Sequence, residues 1–334
     1  MTATLILLIA VVVLTLIFDF INGFHDAANA IATVVSTHAL SPLTAVVYAG
    51  IFNFIGAMMG TEVAATIGKG LVNASTITLQ TVLCTVMAAI TWNLITWYKG
   101  LPTSSSHALI GSLLGATFFS AVDGNANVMW AKVSEKVIIP MITSPILGVA
   151  IGFFIMACLM WIVCKMNLGR INRVFSKLQI ISAGFMAYNH GRNDAQKSMG
   201  IIALALLLAF PAEEFSIPLW VKLTCAVAMG LGTMAGGWRI IRTLGSKMIK
   251  LQPIHGFAAE TTASIIIGGA SHLGIPLSTT QVISTSIMGV GATRGLSAVR
   301  WGIVLDIVWA WILTLPLTFL MAGGMMWAYG HAFN

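Results

Sequence analysis

Charge is scarce in this sequence. Only 8% of its 334 residues are Asp, Glu, Lys or Arg, about a third of the share found in a water-soluble domain. An ordinary soluble fold is thereby excluded. The four cysteines, Cys84, Cys158, Cys164 and Cys225, lie in apolar segments without CxxC spacing, so a disulfide framework is not expected and core packing is their reading. No HExxH or similar ligand spacing occurs, which leaves no resident metal or cofactor to expect. No nucleophile has a recognisable activating base, so an enzyme is not expected either. The ten-residue alternating segments of an outer-membrane barrel are missing. After the first apolar run, "FDFINGFHD" offers no small-residue cleavage site, and a cleavable signal is not expected.

What is present is hydrophobicity. Hydrophobic residues make up 58% of the chain, and mean hydropathy is +0.93. Uncharged stretches such as Gly70 to Tyr98, Val137 to Cys164 and Ile307 to Gly330 each exceed the roughly 20 residues that take a helix across about 30 Å of hydrocarbon. Lipid cannot satisfy exposed backbone groups, so the spans must be helices. The expected fold is an all-α polytopic membrane protein. Its net charge of +7 does not indicate nucleic acid, because the bases gather in "KMNLGRINRVFSK" (165–177) and "RIIRTLGSKMIK" (239–250), while "PAEEFSIP" (211–218) carries two acids and no base. Placing both basic segments in the cytoplasm predicts about ten crossings with both termini outside, and leaves Lys69, Lys132 and Lys136 as the outer-loop bases.

An internal repeat organises the chain. "NGFHDAANAIA" (22–32) aligns with "HGRNDAQKSMG" (190–200), setting Gly23 on Gly191 and Asp26 on Asp194. "GLPTSSSHALIGSLLG" (100–115) aligns with "GIPLSTTQVISTSIMG" (274–289), pairing Pro102 with Pro276 and Ser104 with Ser278. Between them "GAMMG" (56–60) meets "GTMAG" (232–236), and beyond them Pro145 meets Pro316. Four matches in one order predict a duplication: residues 1–164, a basic cytoplasmic linker 165–178, and residues 179–334. Each half has an odd number of crossings and so enters the membrane in the opposite sense. Inverted repeats with interrupted, re-entrant-like helices place a substrate site near the midplane.

The repeated motifs carry the chemistry. Each Gly-x-Pro followed by consecutive hydroxyl residues predicts a break and then a helix N-terminus. Free backbone N–H groups, the positive end of the dipole and the hydroxyls of Ser104, Ser105, Ser106, Ser278, Thr279 and Thr280 suit a tetrahedral oxyanion, while helix capping alone is the plainer reading. Asp26 and Asp194 are costly in a membrane and need partners or a task. Asp26 shares a helix face with Asn29, and Asp194 with Lys197. Carboxylate and amide oxygens there could hold a sodium ion, or the carboxylate a proton. An internal pair of Asp194 with Lys197 or Arg192 is the structural alternative. Asn22, His25, His190, Asn193, Gln196 and Glu260 are candidate supporting residues, the histidines as hydrogen-bonding partners. A channel or an intramembrane hydrolase is disfavoured, the first by the duplicated breaks at one buried site and the second by the missing nucleophile.

These four motifs resemble the duplicated signatures of the inorganic phosphate transporter (PiT) family of secondary carriers in its short bacterial form, over residues 5 to 330. The resemblance implies cation-driven phosphate symport by alternating access in a bacterial inner membrane. It places phosphate on Ser104 to Ser106 and Ser278 to Thr280, and cations on Asp26, Asn29 and Asp194. Similar proteins act on sulfate, which leaves another oxyanion as the alternative; arsenate, a metal-phosphate complex as the carried species and a homodimer are also left open. One departure stands out: where the family's second motif commonly reads Asn-Asp-x-Ala-Asn, this chain has "NDAQK", with Gln196 and Lys197. The resemblance then implies proton rather than sodium coupling.

Overall fold

The computed structural model describes residues 2–120, 128–249 and 251–333. Lys250, counted above in the second basic segment, lies outside them. Among the described residues the only β-pairing is an isolated bridge between Val72 and Val128. The first half consists of α1 (Thr2–Ser36), α2 (Pro42–Ala57), α3 (Glu62–Lys69), α4 (Leu79–Lys99), α5 (Ser105–Phe118) and α6 (Trp130–Val163). The second consists of α7 (Leu168–Ala209), α8 (Leu219–Ala235), α9 (Trp238–Arg242), α10 (Pro253–His272), α11 (Thr279–Ala292) and α12 (Trp301–Phe333). One order is used twice: a long helix, a bent pair, a helix, a 14-residue helix and another long helix. The bends are 69° between α2 and α3 and 58° between α8 and the segment beginning at Trp238.

The halves interlock. α1 packs on α8 and α7 on α2, while α5 packs on α12 and α11 on α6. Repeat-related glycines make the first two approaches possible. A Cβ on Gly23 would lie 2.9 Å from Gly232 Cα, and one on Gly191 would lie 2.6 Å from Asn53 Cα. Any larger residue would push these backbones apart.

The Gly-x-Pro breaks also match. Gly100 and Gly274 adopt φ of 67° and 64°, the left-handed region that favours glycine. Leu101 N–H donates to Thr96 O (3.0 Å) and Ile275 N–H to Ala270 O (2.9 Å), so α4 and α10 both end in the Schellman pattern. A proline follows and cannot continue the helix.

Among the described residues, four helices are long and apolar enough to cross a membrane, or up to six if each bent pair is one span. The expectation of about ten crossings therefore rests on connectivity. α5 and α11, at 14 residues, are about 21 Å long and shorter than the hydrocarbon layer. α7 and α10 have the length but carry the buried polar residues that lower their hydropathy. Both basic segments are helical rather than loops. From Leu168 the first belongs to α7, capped by Asn167 (Oδ1 to Arg170 N, 2.8 Å), and the second forms α9 and a following π turn, Thr243–Lys247. Cys84 and Cys225 are buried as expected for packing, but Cys158 and Cys164 are exposed on the outer face of α6 and at its end.

Candidate functional site

The two broken segments deliver matching helix N-termini into the interior. Ser104 caps α5 by accepting His107 N–H (3.1 Å), and Ser278 caps α11 by accepting Gln281 N–H (3.2 Å). Ser105, Ser106, Thr279 and Thr280 form the first turns, and all six hydroxyl residues are buried. Capping thus accounts for the first hydroxyl of each motif. The next two on each side are left to face the polar residues of α1 and α7.

Those residues converge. Asp26, His190 and Asp194 each offer a ligand atom within 4.8 Å of the others, although they come from different halves. His25 bridges Asp26 Oδ1 (Nδ1, 2.7 Å) and Thr96 Oγ1 (Nε2, 3.0 Å). Asn29 Nδ2 donates to Thr280 Oγ1 (2.9 Å) and Thr279 Oγ1 (3.2 Å), tying the first half's Asp26–Asn29 turn to the second half's hydroxyl turn. Thr279 Oγ1 in turn donates to Asp194 Oδ2 (3.0 Å).

Lys197 sits inside this arrangement. Its Nζ pairs with Asp194 Oδ1 at 2.5 Å, donates to Leu277 O at 2.8 Å, and donates to Ser106 Oγ across the two halves. The internal pair with Asp194 foreseen as the structural alternative is therefore present. The same ammonium also joins both hydroxyl turns, which a purely local pair would not do. His190 Nε2 lies 3.1 Å from Asp194 Oδ2, close enough for charge pairing but off line for a hydrogen bond. Its Nδ1 is held by Asn53 Oδ1 (2.9 Å), and Asn53 donates to Thr233 Oγ1 (3.0 Å).

Two acids, one lysine and two histidines therefore share one buried centre, drawn from both halves of the chain.

Other candidates stand apart from this centre. Asn22 is buried and its Oδ1 has no hydrogen-bond partner among the described residues. Asn193 fastens α7 to the end of α10 through Ser271 Oγ (2.8 Å) and Ile275 O (3.3 Å). Gln196 caps α3, accepting Val63 N–H (2.8 Å) and donating to Met59 O (3.2 Å). Glu260 accepts from Thr33 (2.5 Å), Gln179 Nε2 (3.1 Å) and Ser182, in a separate polar cluster between α1, α7 and α10. Thr96, Asn53 and Thr233 were not foreseen. Thr233 falls within the "GTMAG" repeat, but Thr96 and Asn53 have no motif of their own.

A polytopic helical membrane protein whose two halves present hydroxyl-lined helix ends to a shared acidic centre is the class that this fold and site define. The phosphate transporter family model matches it twice, over residues 22–169 and 166–322. A Bacillus subtilis protein named "Probable low-affinity inorganic phosphate transporter" is 46% identical over 321 residues, covering 95% of this chain and 96% of that protein. A Rhizobium meliloti protein of the same name is 44% identical, covering 95% and 94%. Among solved structures, one described as "The sodium-dependent phosphate transporter" superposes with a TM-score of 0.87 at 24% identity, covering 97% of this chain and 99% of that one. The chain belongs to the phosphate transporter family.

Proposed function

We propose that this protein imports inorganic phosphate across a bacterial inner membrane by symport with protons, using alternating access between two inverted repeats. The observation that carries the reading is the pair of buried N-termini, Ser104 to Ser106 and Ser278 to Thr280, brought to one centre with Asp26 and Asp194. Hydroxyls both donate and accept, so they complement a protonated oxyanion better than a fully ionised one. On this reading phosphate lies between the two turns. Asp26 and Asn29 take the exchangeable cation, and Lys197 keeps the second half-site filled with a tethered one.

Energetics require at least one coupled cation. A monoanion moving inward against an inside-negative potential costs about 2.3 kcal/mol per 100 mV, and one proton cancels that cost while a second exploits the potential. A membrane carboxylate or the phosphate itself can bear the proton. The solved relative is described as sodium-dependent, which makes sodium coupling the competing reading.

Proteoliposomes separate the two. Uptake of labelled phosphate should follow an imposed pH gradient in sodium-free buffer; a strict sodium requirement with no response to pH would overturn proton coupling. In the same assay arsenate should compete strongly and sulfate weakly. Stronger competition by sulfate would make another oxyanion the substrate.

A further inference from the structure

A cavity of about 480 Å³ opens where α4 ends against α9, lined by Tyr98, Lys99, Trp238, Arg239, Arg242 and Thr243. Three cations border it and, among the described residues, no carboxylate does. Lys99 and Arg239 form no ion pair among the described residues. Arg239 is nonetheless held in place. It donates to Tyr98 O (2.5 Å), and its guanidinium lies 5.0 Å from the Tyr98 ring and 5.6 Å from the Trp97 ring. Thr243 Oγ1 completes the junction by donating to Gly100 O (3.2 Å). A guanidinium fixed by stacking loses little further freedom when it takes up an oxyanion.

The position relates this cavity to the central site. Lys99 follows Thr96, the partner of His25, by one turn of α4, about 5 Å along the helix axis. Trp97 packs edge-on against Phe24 at 5.4 Å. Gly100, on the cavity wall, begins the Gly-x-Pro segment that ends at Ser104. The C-terminal dipole of α4 opposes an anion here with roughly half a charge, which the cationic side chains outweigh. Arg242 also borders a second cavity of about 520 Å³, lined mainly by apolar residues that include Ala32, Val35, Ile249 and Leu251.

We propose that the cavity bounded by Lys99, Arg239 and Arg242 is a second phosphoryl-anion site, at the cytoplasmic mouth of the route to the centre. The proposal rests on the phosphate reading and on the inward placement of the basic segments. Two sources present this chemistry: phosphate passing to or from the centre, or the headgroup of an anionic phospholipid with an acyl chain in the cavity beyond Arg242. For phosphate, the site would concentrate the ion at the inner mouth.

The test uses the full-length protein in phosphatidylcholine nanodiscs with radiolabelled inorganic phosphate. Wild type should bind a second phosphate more weakly than the first, and Lys99→Gln/Arg242→Gln should lose the second while keeping the first. In a parallel arm with labelled phosphatidylglycerol, a lipid source is indicated if wild type retains about tenfold more of that lipid than the double variant. Either difference supports the site. Its absence from both arms overturns it. Lys99→Gln alone, which leaves the Arg239 contacts in place, should produce the same loss in weaker form and guards against misfolding; an unchanged second site in this variant also counts against the proposal. Ser105→Ala/Thr279→Ala should remove the first phosphate and spare the second. If that variant keeps both, the central reading has failed rather than this one.

Discussion

Asp26 and Asp194 occupy matching positions in the two halves and both are buried, yet one half-site is open in the sense that no lysine or arginine among the described residues pairs with its acid, and the other is closed by Lys197. Asp26 has a histidine at 2.7 Å and an uncharged Asn29 one turn away. Asp194 is held by an ammonium at 2.5 Å, a threonine hydroxyl at 3.0 Å and a nearby histidine. The duplication supplies the same backbone twice, and divergence at Asn29 and Lys197 makes the chemistry asymmetric. A cation that is part of the chain cannot be released, so the two half-sites cannot do the same work. On the proposed reading, exchange with the aqueous phases falls to the first half.

The largest expected effect follows from breaking the closed site. Asp194→Asn should abolish gradient-driven uptake and also destabilise the protein by about 3–5 kcal/mol, because Lys197 would remain buried without its counterion. Asp26→Asn should abolish uptake just as fully while leaving thermal unfolding in detergent almost unchanged. Equal destabilisation by the two substitutions would refute the contrast between open and closed.

A smaller effect should come from making the halves alike. Lys197→Asn restores an amide where the first half has Asn29, and should lower proton-driven uptake by about tenfold or introduce stimulation by sodium. Uptake that stays proton-driven and indifferent to sodium would reduce Lys197 to an ion-pair partner. The least effect is expected at the two breaks. Gly100→Ala and Gly274→Ala each force a side chain into the left-handed region and should cost about 1 kcal/mol, with the larger fall in melting temperature for Gly274→Ala, whose Cβ would lie 3.0 Å from Glu62 O while that of Gly100 meets nothing nearer than 3.6 Å. A larger fall for Gly100→Ala would show that packing around the breaks does not set their tolerance.

Much of this arrangement was legible in the chain. The Gly-x-Pro-hydroxyl motifs announce a helix stop, a proline and a cap by local rules, and the caps on Ser104 and Ser278 follow from them. The pairing of Asp194 with Lys197 follows from three-residue spacing on a helix. Partners distant in sequence were not legible. Nothing near Thr96 says that it meets His25, 71 residues away, because that contact is set by how α4 crosses α1. Gln196 sits beside Lys197 in the motif, but adjacent helical positions face different directions. Its amide therefore caps α3 while the neighbouring ammonium enters the centre. Glu260 read as an interior acid, and so it is, but its location in a cluster of its own depends on the packing of three helices.

The continuous 42-residue course of α7 has a mechanical consequence. It is about 63 Å long, twice the thickness of the hydrocarbon layer, and Arg173 lies some 36 Å along it from Lys197. On the alternating-access reading, a rod of that length would act as a lever whose fulcrum is the membrane. A five-degree tilt about the level of Lys197 would swing the Arg173 end by about 3 Å, the product of the angle and that axial length. Small displacements at the buried end are thereby enlarged at an accessible one, where a spin label or fluorophore can record each turn of the transport cycle without touching the centre.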